Sequence, residues 1–268
     1  MLAEKIRRKK AEKDILLMTH IVVGYPTFDA SLRVVEQMVE AGVDLMELQI
    51  PFSEPIADGP VILHANQASL VAGSSVEACL RFAEEVARRF EIPFLLMSYY
   101  NIVFKFGVKA FAQRMATAGL AGAIVPDLLV EESVEFSRIC ADQDFSLIQL
   151  VTPTTPRERQ VRIAESSSGF LYYVSVTGIT GERTALPVDL VDNVKWLREQ
   201  TDLPICIGFG ISGPETASQL APVADGLIVG SAVVRRVHDA GATDTAEERV
   251  MDFVKTLRHA VDHAPPVI

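Results

Sequence analysis

The chain has 268 residues, 49% hydrophobic and 22% charged, which is typical of an α/β enzyme with a large core. Its net charge of −10 argues against nucleic acid as a partner, because a phosphate backbone would be repelled. The three cysteines, Cys79, Cys140 and Cys206, are widely spaced, so reduced thiols in a cytoplasmic protein are expected rather than disulfides or a zinc site. The apolar run at 15–23 is too short to span a membrane, so no membrane is expected as a partner.

Short apolar runs that predict strands alternate along the chain with segments of helical periodicity. The charged start at 3–10 predicts a short amphipathic helix before the first strand. Apolar residues recur at helical spacing between the strands, as at 32–39, 76–86 and 190–197. The strands themselves are predicted at 16–23, 44–49, 94–97, 122–125, 146–151, 170–174, 204–207 and 226–229.

Eight strands, each followed by a helix, favour an α/β fold of the (β/α)8 TIM barrel type with an extra N-terminal helix. A doubly wound open sheet is the alternative, but it usually has fewer strands and an early Gly-x-Gly-x-x-Gly, which this sequence lacks. No linker or low-complexity tract interrupts the pattern, so a single domain over 1–268 is predicted. A last helix is predicted at 243–263, with its cap among the residues 243–245.

Two carboxylates stand out in and after the second predicted strand. Glu47 lies within the apolar run, where an acid is costly to bury without a purpose. Asp58 lies eleven residues later, at the far end of a loop with several prolines. Both fall at the carboxyl end of a barrel strand, where barrel active sites lie. They are therefore predicted to face one pocket and to perform acid/base chemistry, although an Asp-Gly pair alone is first of all a turn signal.

Glycine-bearing loops follow the sixth, seventh and eighth predicted strands, at 177–181, 208–212 and 230–231. Glycine lets backbone N–H groups approach an anion, and a helix start adds a favourable dipole. Three such loops in this position predict a phosphate site. The loop at 178–187, which carries Arg183, is predicted to act as a lid, with an ordinary mobile loop as the alternative. The histidines have no metal-ligand spacing, so no metal is expected.

Several motifs of the chain resemble the tryptophan synthase alpha subunit family, and the resemblance covers nearly the whole sequence. It rests on E-L-x-I-P-F-S-x-P-x-A-D-G-P at 47–60, T-P-T-T-P at 152–156, G-F-x-Y-Y-V-S at 169–175, G-x-T-G at 178–181, G-F-G-I at 208–211 and V-G-S-A at 229–232. The resemblance implies a lyase of tryptophan biosynthesis. This enzyme cleaves indole-3-glycerol phosphate, a small phosphorylated substrate, to indole and glyceraldehyde 3-phosphate by a retro-aldol reaction that uses no metal and no cofactor.

The same resemblance assigns a role to individual residues. Glu47 is implied to be the general acid/base, and Asp58 to hold the indole N–H and stabilise the cation formed on protonation. Tyr172 lines the pocket, Thr180 packs the lid over Asp58, and Phe209 belongs to the substrate-binding residues. The phosphate is held by Gly181, Gly210, Gly230 and Ser231.

The resemblance also implies a protein partner. The family works in an alpha2beta2 complex with a pyridoxal-phosphate-dependent beta subunit, which receives the indole. The loops that resemble the alpha side of this interface carry Ser53, Glu54, Pro55 and Asn101.

Two departures from the family fall beside the predicted acid. Gln49 stands where the family usually has glycine, and His20 where an aromatic or apolar residue usually lines the indole site. Strand alternation puts Gln49 on the same face as Glu47, so both departures are expected to bring polar groups to the substrate. We expect them to weaken cleavage of indole-3-glycerol phosphate by the isolated chain, and Gln49→Gly to raise it.

Two alternative functions therefore stay open. One is a related lyase that acts on a different phosphorylated substrate. The other is a weakly active partner subunit that activates a beta-type enzyme, although the retention of both Glu47 and Asp58 argues against it.

Overall fold

The computed structural model describes residues 2–175, 188–208, 210–240 and 246–264. Eight parallel strands in this part of the chain form a closed barrel in chain order, which confirms the predicted (β/α)8 fold. Each strand begins and ends within one residue of its predicted bounds. The strands are β1 Leu16–Val22, β2 Leu45–Gln49, β3 Phe94–Met97, β4 Gly122–Ile124, β5 Ser146–Val151, β6 Leu171–Val174, β7 Ile205–Gly208 and β8 Gly226–Val229.

The helices form the outer layer, and the predicted N-terminal helix is present as α1. Several begin at residues suited to a helix start: the Thr27 side chain accepts a hydrogen bond from the Ala30 N–H, and Pro60 opens the helix that follows β2. The helices are α1 Leu2–Glu12, α2 Phe28–Glu40, α3 Pro60–Val71, α4 Val76–Arg89, α5 Tyr100–Phe106, α6 Val108–Thr117, α7 Val134–Ala141, α8 Arg157–Ser166, α9 Val188–Arg198, α10 Pro214–Leu220, α11 Ser231–Ala240 and α12 Ala246–Asp262.

The predicted last helix is present as α12, and its predicted start and caps at 243–245 lie outside the described residues. None of the helices within the described ranges combines the length and the apolar character needed to cross a membrane.

Apolar side chains fill the barrel interior and support the floor of the site above them. Leu2 and Ile6 of α1 join this cluster from below, so α1 closes the amino-terminal end of the barrel. The other buried members come from alternate positions of the strands, as the pleat requires. They are Leu16, Met18, Leu45, Leu95, Met97, Ile124, Ile148, Phe170, Tyr172, Cys206 and Ile228.

Two buried carboxylates at the amino-terminal end are fully partnered. Asp44, just before β2, accepts hydrogen bonds from the Leu17 N–H (3.0 Å), Arg258 Nη1 (2.8 Å) and Lys13 Nζ (2.9 Å). Asp225, just before β8, accepts one from the Ile205 N–H at 2.8 Å and pairs with lysine and arginine side chains. Contacts at this end of a barrel stabilise the fold and take no part in the chemistry.

Candidate active site

A cavity of about 440 Å³ lies at the carboxyl ends of the strands, which is the functional end of a barrel of this type. Its wall is apolar apart from a few polar groups, the usual composition of a site for a small ligand. The lining residues are His20, Glu47, Ala57, Asp58, Gly59, Ile62, Met97, Ile124, Pro126, Leu150, Thr152, Tyr172, Val174, Gly210, Ile211, Ile228, Gly230 and Ser231.

Glu47 occupies the middle of β2 with its side chain in the barrel interior. It lies opposite His20 of β1 and Leu95 of β3 in the ladder, and only 3% of its surface is exposed. The aromatic ring of Tyr172 shares this space, because Gly208 on the neighbouring strand has no side chain. A Cβ at position 208 would lie 2.5 Å from the Tyr172 hydroxyl oxygen. Glu47 therefore reaches the cavity from its apolar floor.

His20 is the immediate partner of Glu47. Its Nδ1 lies 3.3 Å from Glu47 Oε2, and the imidazole is buried. Burial lowers the pKa of His20 most strongly, but the charge of Glu47 and its hydrogen bond, with smaller contributions from Asp58 and Gln49, together outweigh burial, so the pKa lies above its ordinary value. The other ring nitrogen, Nε2, is buried without a hydrogen-bond partner within the described residues.

Asp58 faces the same cavity from the loop between β2 and α3. Gln49 Nε2 donates to its Oδ2 at 2.6 Å, and Asn66 Nδ2 donates to the same oxygen at 3.2 Å. Burial raises the pKa of Asp58 above its ordinary value, although the hydrogen bond from Gln49 and the charge of His20 act in the opposite direction. The carboxylate is thus oriented by two amides and partly withdrawn from water.

Gln49 lies on the same interior face as Glu47, as strand alternation requires. It is fully buried and is not among the residues that line the cavity. Its amide nitrogen is committed to Asp58, whereas its carbonyl oxygen has no hydrogen-bond partner within the described residues. The Gln49 side chain also acts on His20, whose pKa it helps to raise.

Sequence reasoning missed two residues that hold Asp58 in place. Asn66 of α3 accepts a hydrogen bond from the Phe52 N–H at 3.0 Å while it donates to Asp58, so it fixes both ends of the loop. Tyr99 lies next to Asp58, and its hydroxyl accepts a hydrogen bond from the Ala57 N–H at 3.1 Å. The one signal that the sequence offered was an asparagine in the interior of a helix, where asparagine is an unfavourable residue.

Residues of the predicted phosphate site lie on the other side of the cavity. Gly230 and Ser231 line it at the point where β8 ends and α11 begins, so backbone N–H groups of that helix start face the space. Gly210 also lines it, with a φ of 83° that disfavours any side chain. Three further predicted residues, Thr180, Gly181 and Phe209, lie outside the described residues, as does the predicted lid at 178–187.

Within the described ranges, no group of three histidine, cysteine, aspartate or glutamate side chains could hold a metal ion. Cys79, Cys140 and Cys206 are free and buried.

Known proteins of one family are similar to this chain over nearly its whole length. The family model described as "Tryptophan synthase alpha chain" matches residues 6–262. The tryptophan synthase alpha chain of Rhodopirellula baltica is 54% identical over 260 residues, which cover 92% of this chain and 94% of that protein. The corresponding chain of Syntrophotalea carbinolica is 49% identical over 258 residues, covering 96% and 100%.

Solved structures give the same result. Tryptophan synthase subunit alpha from Legionella pneumophila superposes with a TM-score of 0.89 at 32% identity, covering 97% of this chain and 98% of the other. A structure of Mycobacterium tuberculosis tryptophan synthase gives 0.89 at 31% identity, with the same coverage. The chain belongs to the tryptophan synthase alpha chain family. This membership confirms the predicted activity, a carbon–carbon lyase that cleaves indole-3-glycerol phosphate to indole and glyceraldehyde 3-phosphate in tryptophan biosynthesis.

The residues predicted to contact a tryptophan synthase beta subunit lie beside the cavity rather than in it. Ser53 and Asn101 line a groove of about 450 Å³ together with apolar side chains of the loop after β2 and of α3, α4 and α5. Glu54 is exposed, whereas Pro55 is buried and shapes the loop. The adjoining surface carries apolar side chains that are unusually exposed, namely Ile56 at 82% and Phe104 at 68%.

Proposed function

We propose that Glu47 is the general acid/base and Asp58 the electrostatic partner that cleave indole-3-glycerol phosphate in this cavity. The observation that carries the proposal is the convergence of both carboxylates on one cavity whose other side is the start of α11. In this arrangement the indole ring lies between the two acids, and the phosphate lies at Gly210, Gly230 and Ser231. Tyr172 and His20 complete the wall around the ring.

The chemistry follows from these positions. Glu47 gives a proton to the ring carbon that carries the side chain, and two ring π electrons form the new C–H bond. The positive charge that results at the ring nitrogen is stabilised by the carboxylate of Asp58, which accepts the N–H. Glu47 then takes the proton of the side-chain hydroxyl. The C–C bond breaks, its electrons restore the ring, and the hydroxyl oxygen becomes the aldehyde of glyceraldehyde 3-phosphate.

The proposal extends to three residues that the family resemblance assigns to substrate binding. Thr180 packs a closing loop over Asp58, while Gly181 and Phe209 complete the phosphate and ring contacts. Gln49 joins them through its unpaired carbonyl oxygen.

We further propose that the chain works in the cytoplasm with a pyridoxal-phosphate-dependent beta subunit, in an alpha2beta2 complex. The groove beside the cavity, with Ser53 and Asn101 in its wall and Ile56 exposed nearby, supports this partner. Glu54 and Pro55 belong to the same loop. Delivery of indole directly to a partner would suit a product that is small and apolar.

One alternative rests on a specific observation. His20 and Gln49 bring an imidazole and an amide close to the place of the indole ring, and such groups suit a more polar aromatic substrate. The experiment that tests the main proposal also tests this one.

The test is to incubate the purified chain with indole-3-glycerol phosphate, with and without a beta subunit, and to measure indole and glyceraldehyde 3-phosphate together. Equal amounts of both products are expected, at a higher rate with the beta subunit. Glu77→Gln, which changes an exposed acid of α4, serves as the control and should leave the rate unchanged. If neither condition releases indole from a folded chain, the proposed use of this cavity is contradicted.

A further inference from the structure

His20 has features that a histidine packed only for stability does not need. It lies on the β1 strand directly opposite Glu47, and only 3% of its surface is exposed. Its Nδ1 contacts the Glu47 carboxylate, while its Nε2 is buried without a partner within the described residues. An unsatisfied buried nitrogen is costly, so it points to a group that arrives with the substrate or to a role in chemistry.

The charge balance of the cavity makes His20 distinctive. Two carboxylates, Glu47 and Asp58, face the cavity, and among its described lining residues His20 is the one side chain that can carry a positive charge. The remaining titratable group on this wall is Tyr172, whose pKa burial raises well above its ordinary value, so it stays neutral. Neighbouring parts of β8, α3 and α11 add no titratable side chain to the described lining.

The proposed reaction needs an acid that holds a proton near neutral pH. An ordinary glutamic acid loses its proton near pH 4.3, whereas an ordinary histidine keeps its proton to about pH 6.5. An imidazolium beside a carboxylate therefore keeps one transferable proton within reach of the carboxylate at a pH where the carboxylate alone is ionised. A catalytic acid works best when it titrates near the working pH.

We propose that His20 and Glu47 act as one acid, in which His20 stores the proton that Glu47 delivers to the substrate. This inference rests on the proposed function of Glu47. His20 acts through Glu47 and is therefore a positioning residue for the reaction. Gln49 has the matching role at Asp58, because its amide nitrogen holds that carboxylate at 2.6 Å.

The proton balance closes over one turnover. The Nδ1–H bond of the imidazolium breaks, its electron pair stays on nitrogen, and Glu47 Oε2 gains the proton. Glu47 passes this proton to the ring carbon and takes the hydroxyl proton as the C–C bond breaks. It then returns that proton to Nδ1. No oxidant, reductant or external acid enters the cycle.

The test compares the pH profile of kcat/KM for indole release in the natural chain and in His20→Gln, which keeps a polar side chain but cannot store a proton. In the natural chain, activity should persist up to the raised pKa of the imidazole and fall above it. In His20→Gln no imidazolium supplies a proton to Glu47, so the alkaline limb of the profile should move to lower pH. We expect a loss of about 100-fold at pH 8 and a much smaller loss at pH 5.5.

Two controls separate this role from a structural one. His259→Gln changes an exposed histidine of α12 and should leave the profile unchanged. In His20→Ala, added imidazole should restore part of the activity at pH 8, because it can fill the vacated space and carry the proton. If His20→Gln lost activity by the same factor at every pH, or kept the natural profile, the proposal would be overturned.

A second measurement applies even where the His20 variants fail to fold. NMR titration of labelled histidine should give a pKa for His20 above the ordinary value in the natural chain and a clearly lower one in Glu47→Gln. An unchanged His20 titration in Glu47→Gln would overturn the inference. Activity retained in Glu47→Gln would instead overturn the proposed function of Glu47, so the two failures are distinguishable.

Discussion

Both ends of the barrel bury carboxylates, but the surroundings shift the carboxyl pKa in opposite directions at the two ends. At the amino-terminal end, burial alone would raise the pKa of Asp225, yet the Ile205 N–H and the cations Lys10 and Arg198 outweigh it and hold the pKa below its ordinary value. At the carboxyl end, burial dominates and the pKa of Asp58 lies above its ordinary value. The surroundings of Asp225 stabilise its negative charge, whereas those of Asp58 compensate its charge only in part.

The difference separates residues that hold the fold from residues that are poised for chemistry. A carboxylate with every lone pair satisfied by cations and backbone N–H groups gains nothing further from a ligand. A carboxylate whose charged form is disfavoured by burial is stabilised by a ligand that carries positive charge, as a protonated indole ring does. Substitutions at the two ends should therefore change different measurements.

The largest expected effect is that of Asp58→Asn on activity. The neutral amide cannot stabilise a cation, so kcat/KM for indole release should fall by about 10²–10³-fold. Because the pKa of Asp58 is raised, its ionised form costs stability above that pKa, and the cost disappears as the pH falls below the ordinary carboxyl value. The free energy of unfolding at pH 7 should therefore stay the same or increase, as measured by denaturant titration.

The second-largest expected effect is a loss of stability from a substitution at the amino-terminal end of the barrel. Arg258→Met removes the guanidinium that donates to Asp44 at 2.8 Å and to the Ile15 carbonyl at 2.9 Å, both deep in the structure. We expect a loss of about 3 kcal/mol in unfolding free energy, the lower end for a broken buried pair, because Lys13 still contacts Asp44. The kcat of the protein that remains folded should be unchanged; a large fall would mean that the two ends are coupled.

A smaller effect is expected at the phosphate side. A Cβ at Gly230 would meet its nearest neighbour, His20 Cβ, at 3.6 Å, so alanine fits the unliganded protein. It should nevertheless obstruct approach of the phosphate to the backbone and raise KM about tenfold, which corresponds to the loss of roughly one charge-assisted hydrogen bond. Gly213→Ala, outside the cavity, is the matched control. Gly210 is less suitable, because its positive φ would add backbone strain.

The smallest effect concerns the pH dependence of stability. Asp225 has a lowered pKa, so its stabilisation is complete above the ordinary carboxyl pKa of about 3.9 and is lost as the pH falls through the lowered value. Lys10→Gln should reduce this stabilisation by about 1 kcal/mol at pH 7, since Lys10 is partly exposed. The difference between variant and natural chain should vanish in acid, as followed by urea unfolding at several pH values.

Much of the fold and of the site was predictable from the sequence because the signals are local. The strand runs are short, apolar and bounded, and alternation alone puts Glu47 and Gln49 on one face. Contacts between distant residues left no such signal: Arg258 and Asp44 are 214 positions apart. The bond from Gln49 to Asp58 was also unforeseen. The sequence suggested that Gln49→Gly would raise activity, whereas this bond supports a loss, since glycine would release Asp58.

The most direct test of the contrast is one crossed comparison of Glu47→Gln with Asp44→Asn. Both replace a buried carboxylate by its amide, one in the middle of β2 and one just before its first residue. The kcat for indole release and the free energy of unfolding are measured for each. Glu47→Gln should lose about 10³-fold in kcat and remain folded, while Asp44→Asn should lose stability and keep its kcat. If Glu47→Gln kept most of its turnover, the assignment of the chemistry to Glu47 and its cavity would be contradicted.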